Sequence, residues 1–63
     1  MRFESLDLTA GGACVLDNQT GWVWNVFTDI DDAEEFRRVC ERATAGDLAR
    51  LRRNPYWRPG DGD

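Results

Sequence analysis

ACVLDNQTGWVWNVF, residues 13–27, decides how this chain folds. An apolar run, ACVLD (13–17), gives way to Asn18-Gln19-Thr20-Gly21 and re-emerges as WVWNVF (22–27). Asn18 tolerates left-handed backbone, Thr20 bonds locally, and Gly21 suits the left-handed position of a bulged turn. β-Branched and aromatic residues fill 22–27, which makes it the best strand in the chain. Two strands joined by a tight turn form a hairpin. Strict alternation sets Trp22, Trp24 and Val26 on one face of the second strand and Val23, Asn25 and Phe27 on the other. Both faces are largely apolar. Such a strand is either partly covered on both sides or presents an aromatic face to solvent.

Working outward, RFESLDL (2–8) alternates weakly, with Phe3, Ser5 and Asp7 opposite Glu4, Leu6 and Leu8, and reads as an edge strand. TAGG (9–12) is a turn, because glycine takes positive φ without steric cost. On the other side, TDIDDAEEFRRVCERA (28–43) turns helical. Ala33, Phe36, Val39, Cys40 and Ala43 recur at three- and four-residue steps and make one apolar stripe. Asp31 with Glu34 matches a capping box, and Thr28 with Asp31 competes for that role. TAGDLARLRR (44–53) starts a second helix, capped by Thr44 with Asp47 three residues on, with Leu48 and Leu51 as its apolar edge. Asn54-Pro55 stops it, since proline disfavours helix in the residue before it. Tyr56 and Trp57 are expected to fold back on the core.

The order is β-β-β-α-α. The expected fold is α+β: a two- or three-stranded antiparallel sheet with two short helices packed on one face. One domain spans 1–58, with a loose tail at 59–63.

Sixty-three residues bury only about 60% of their unfolded surface and leave little room for a substrate-sized cavity. The chain has no histidine, so the commonest general base and a leading metal ligand are both missing. Cys14 and Cys40 have no histidine partner and read as buried, reduced thiols; a bridge between them needs Cα atoms within about 7 Å. A calcium loop starting at Asp29 would need glycine at its sixth position and glutamate at its twelfth, where Glu34 and Cys40 stand. No catalytic residue, metal site or cofactor is expected. With neither a membrane-length apolar stretch nor a secretory leader, the expected compartment is the cytoplasm.

Charge is distributed unevenly. Residues 1–35 hold eight acids against Arg2, a net −7, whereas 36–63 hold seven arginines against four acids, a net +3. Asp29, Asp31, Asp32, Glu34 and Glu35 crowd into DIDDAEE (29–35). Helix electrostatics account for some of them: acids favour a first turn, and Glu34–Arg38 and Arg37–Glu41 are spaced to pair. They do not require five acids in seven residues, and Asp29, Asp31, Asp32, Glu34 and Glu35 together form a candidate partner-binding surface, with Trp22 and Trp24 as aromatic anchors. The arginines, with Tyr56 and Trp57, form an alternative surface for phosphates and bases. The overall charge of −4 opposes that use.

Length, the TDIDDAEEF run, the lack of a catalytic set and a complete small α+β fold together make the chain resemble the anti-CRISPR proteins of phages, a class without a shared motif. The resemblance implies a non-enzymatic inhibitor, monomeric, that binds a CRISPR surveillance complex in the host bacterial cell and blocks target DNA. Its carboxylates would meet the Arg/Lys-lined channel that DNA normally occupies. The arginine-rich second half departs from a pure DNA mimic. Two other classes fit the residues: a nucleic-acid-binding or toxin–antitoxin accessory protein working through the arginine-rich helices, and a self-associating module with an exposed tryptophan face.

Overall fold

The computed structural model describes residues 1–60. Residues 61–63 of the expected loose tail lie outside the described residues. The strands are β1 (Phe3–Asp7), β2 (Ala13–Asp17) and β3 (Val23–Phe27), followed by the helices α1 (Ile30–Arg42) and α2 (Ala45–Arg53). The sheet is antiparallel with spatial order β1-β2-β3, and the α+β arrangement is the one the sequence implies.

The hairpin turn closes as its residues dictate. Gly21 sits at φ +79°, and its N–H donates to the Asp17 carbonyl at 2.8 Å. Asp17 N–H in turn donates to the Trp22 carbonyl at 2.8 Å. In the first connection, Gly12 has φ +82°, and a Cβ built there would meet the Phe27 carbonyl oxygen at 3.0 Å. Backbone conformation and close approach both require glycine at 12.

The sheet departs from strict alternation at one place. Val15 pairs with Trp24 and Ala13 with Phe27, so Cys14 alone faces the two residues Asn25 and Val26. This is a β-bulge in β3. The extra residue resets the alternation, and Trp24 and Phe27 both turn toward α1. Their rings lie 5.1 Å and 5.0 Å from that of Phe36, centroid to centroid. The expected split of Trp24 and Phe27 onto opposite faces is therefore corrected.

α1 packs across β1 and β2 and buries Ala33, Phe36 and Cys40 of its expected stripe. Val39 and Ala43 flank the same core. Its N-cap is Asp29, whose carboxylate accepts the Asp32 N–H at 2.9 Å. This replaces both caps read from the sequence. The chain is still extended at 29, so helical backbone begins one residue later, and Asp31 falls inside the helix.

α2 begins on the expected capping box. Thr44 Oγ1 accepts from Asp47 N–H, and the Asp47 carboxylate accepts from Thr44 N–H, both at 3.1 Å. Leu48 and Leu51 enter the core. Trp24 Nε1 donates to the Leu51 carbonyl at 2.9 Å. That carbonyl is in the last turn of α2, where intrahelical partners run out, so a buried indole satisfies a group the helix leaves open. Thr44→Ala removes one side of the box and is expected to lower stability by about 1 kcal/mol, read as a lower urea midpoint at unchanged slope.

Beyond α2, Trp57 packs against the core as expected. Tyr56 does not: it is 74% exposed. Cys14 and Cys40 are both free thiols and both buried. Among the described residues, no helix is long and apolar enough to cross a membrane.

Candidate functional site

The five acids of 29–35 divide into two sets. Glu34 turns toward the sheet. It accepts a hydrogen bond from Ser5 Oγ on β1 at 2.5 Å and a forked pair from Arg37, with N···O distances of 2.5 to 2.9 Å. Arg38 adds a looser contact at 3.8 Å. Donation from Arg37, then from Ser5, outweighs burial and holds the Glu34 carboxyl at about 2. Arg37 also donates to Glu41 at 2.6 Å. Glu34 is thus engaged in holding α1 on β1 and has little left to offer a partner.

Asp29, Asp31, Asp32 and Glu35 make up the second set, and all are exposed. Asp29 caps the helix, and Asp32 accepts a 3.3 Å hydrogen bond from Thr28 Oγ1. Among the described residues, no arginine forms an ion pair with any of the four. Their charge at the N-terminal end of α1 is favoured by the helix dipole.

Asp32 and Glu35 form one wall of an open groove of about 360 Å³, lined also by Val26, Phe27, Thr28, Tyr56 and Arg58. Arg58 is already satisfied within the chain. Its Nη1 donates to the Pro55 and Trp57 carbonyls at 2.6 and 2.8 Å, and its guanidinium lies 5.3 Å from the Phe36 ring centre. The groove therefore offers two carboxylates, an exposed phenol ring and an apolar edge from Val26. A cationic side chain suits it, because carboxylates pair with its charge and an aromatic face attracts it.

The two tryptophans assigned to the partner surface do not join this site. Trp24 is 3% exposed and spends its indole N–H on Leu51, so no partner reaches it; that assignment is corrected. Trp22 is 42% exposed, with its ring 6.4 Å from Trp24. It sits at the turn end of β3, roughly 20 Å from the acidic end at the usual rise per strand residue. Tyr56, expected in the core, is instead the aromatic the groove uses. The sequence did hold one signal for the groove: Asp32 and Glu35 stand three residues apart, on one helix face.

A further charged cluster is structural. Asp17 is fully buried and accepts from Arg2 through both carboxylate oxygens at 2.9 Å, from Gln19 N–H at 3.0 Å and from Thr20 Oγ1 at 3.0 Å. One carboxylate therefore pins the start of β1 to the hairpin turn. On the arginine-rich side, Arg50 lies 5.3 Å over the Trp57 ring and lines an open recess with Arg53 and Asn54.

Burial pushes the Cys40 thiol up to about 12, which leaves it un-ionised and a poor nucleophile. Among the described residues, no three His, Cys, Asp or Glu side chains cluster as a metal site. No protein-family model matches the chain, and comparison with curated proteins and with solved structures finds no significant match.

Proposed function

We propose that this chain is a small non-enzymatic binding protein that docks its acidic face on a cation-lined surface of a protein partner. The partner is a nucleic-acid-binding complex of a CRISPR system, and docking blocks target DNA. One observation carries the reading: four exposed carboxylates, Asp29, Asp31, Asp32 and Glu35, gather at one end of α1 without a balancing arginine among the described residues. Solvated helix faces ordinarily interleave both signs. Here the neighbouring arginines are turned to Glu34 and Glu41. The groove beside Tyr56 adds an aromatic contact for a partner arginine or lysine.

The test is competition in a gel shift between the chain and a labelled target duplex for a purified CRISPR surveillance complex, at two salt concentrations. The wild-type chain is expected to remove the complex–DNA band, and added salt to restore it. A triple variant, Asp31→Lys, Asp32→Lys and Glu35→Lys, is expected to lose this effect while remaining folded by circular dichroism, because Glu34 and the Asp29 cap are left in place. Equal inhibition by the folded variant would overturn the reading. A second reading has its own observation, the Arg50–Trp57 stack beside Arg53, which suits a phosphate and a base. A shift of duplex by the chain alone would favour it.

A further inference from the structure

The two edges of the sheet are unlike. β1 carries Glu4 and Asp7, both exposed, and charge on an edge discourages pairing with another chain. β3 carries no ionisable residue, nor does any position from Asn18 to Thr28. β3 hydrogen-bonds to one neighbour only, β2, and its other edge is open among the described residues. Three of the large apolar side chains most exposed in the protein, Trp22, Val23 and Val26, lie on or beside this strand. The backbone is oriented for pairing as well. The Trp22 carbonyl accepts from Asp17 and so faces β2. The alternation of an antiparallel ladder then turns the N–H and C=O of Val23 outward.

We infer that the outer edge of β3 is a self-association seam, along which two copies pair antiparallel about a two-fold axis into one six-stranded sheet. An uncharged antiparallel edge is its own complement across a two-fold axis, so a second copy fits it, and charge sets the direction. Each protomer carries −4, so most ways of bringing two together are repulsive. Antiparallel pairing sets the acidic end of each β3, leading into Asp29–Asp32, beside the uncharged Asn18–Trp22 turn of the other copy. The two acidic clusters stay at opposite ends of the seam, whereas parallel pairing would place them side by side. The contact is isologous and closes at two. The acidic edge of β1 keeps the sheet from extending further. The seam replaces the monomer expected from the sequence and does not depend on the partner proposed above.

Sedimentation equilibrium from micromolar to millimolar concentration tests it. The wild-type mass is expected to double across the range and, unlike binding by the acidic face, to resist added salt. Amide exchange at Val23 is expected to slow at the concentrated end. Val23→Lys places two cations at the seam, and Val23→Pro removes an outward donor without taking a bond from the β2 ladder. Both are expected to stay at single-chain mass. Leu6→Lys, an equally exposed change on the β1 side, is expected to leave doubling intact. A wild-type mass that never rises, or a Val23 amide indifferent to concentration, overturns the seam. So does doubling that survives Val23→Lys but is lost in Leu6→Lys, which would mean that copies stack through the sheet face.

Discussion

Arg2→Ala is expected to cost about 3 kcal/mol at neutral pH, measured by urea unfolding followed through tryptophan fluorescence. Removing one partner of a buried ion pair typically costs about 3–5 kcal/mol, because the remaining charge has neither water nor a counter-ion. The lower end applies here: Asp17 is fully buried, but Arg2 remains 35% exposed, so water reaches the edge of the pair. At about 0.05–0.15 kcal/mol per residue, a chain this long holds roughly 3–9 kcal/mol in all. The variant therefore stands at the margin of folding. Asp17→Asn is expected to cost less, since its amide oxygen still accepts within the turn and the freed guanidinium can turn to water.

The same pair writes a pH signature. Asp17 titrates at about 2 in the folded chain against an ordinary 3.8, chiefly because Arg2 donates to it, against the opposing effect of burial. A carboxylate whose folded pKa is depressed stabilises above its unfolded pKa and loses that contribution as pH falls through the folded value. The contribution is worth about 2 kcal/mol at neutral pH and drains away between about pH 4 and pH 2. Glu34, held low by Arg37 and Ser5, adds to the same acid limb. The gap in stability between wild type and Arg2→Ala is expected to narrow across that window. A gap that is the same at pH 7 and pH 2 would show that Arg2 acts by packing rather than by charge.

Phe36→Ala is the second large effect, an expected loss of about 3–5 kcal/mol. Phe36 is fully buried, and the rings of Trp24 and Phe27 and the guanidinium of Arg58 all converge on it. Truncation removes buried surface and opens a cavity where β3, α1 and the C-terminal segment meet. The variant is expected to be largely unfolded at room temperature, with red-shifted tryptophan emission. Phe36→Leu retains most of the volume and is expected to keep the fold at reduced stability. A cooperative, wild-type-like urea transition for Phe36→Ala would contradict this account of the core.

The local elements were legible because their signals are local. Gly21 needs only its own positive φ to close the hairpin. Thr44 and Asp47 cap α2 through backbone groups within three residues, and the stripe through Ala33, Phe36 and Cys40 follows from helical period alone. The N-cap of α1 was misplaced because DIDD offers several carboxylates of equal capping strength. Asp29 takes the role because its backbone is still extended, at φ −148°, where α1 begins.

The candidate site was half legible. Acid density from 29 to 35 is visible in the sequence, but which acids stay free depends on what crosses from another element. Ser5 on β1 claims Glu34, and nothing in α1 foretells it. Trp24 and Tyr56 exchanged their expected places for a similar reason. The indole fits beneath α2, where it fills apolar space and meets the Leu51 carbonyl, and that leaves Tyr56 outside beside Asp32 and Glu35.

Sequence by itself determined the element order, the hairpin, the helix faces, the capping box and the split of charge along the chain, all set by interactions within a few residues. Tertiary structure alone decided the bulge that turns Phe27 inward, the burial of Asp17 against Arg2, the sorting of free from engaged carboxylates, and the place of β3 at an open edge of the sheet. Each of these depends on pairing between residues far apart in the chain, where register and packing, rather than local preference, choose the partner.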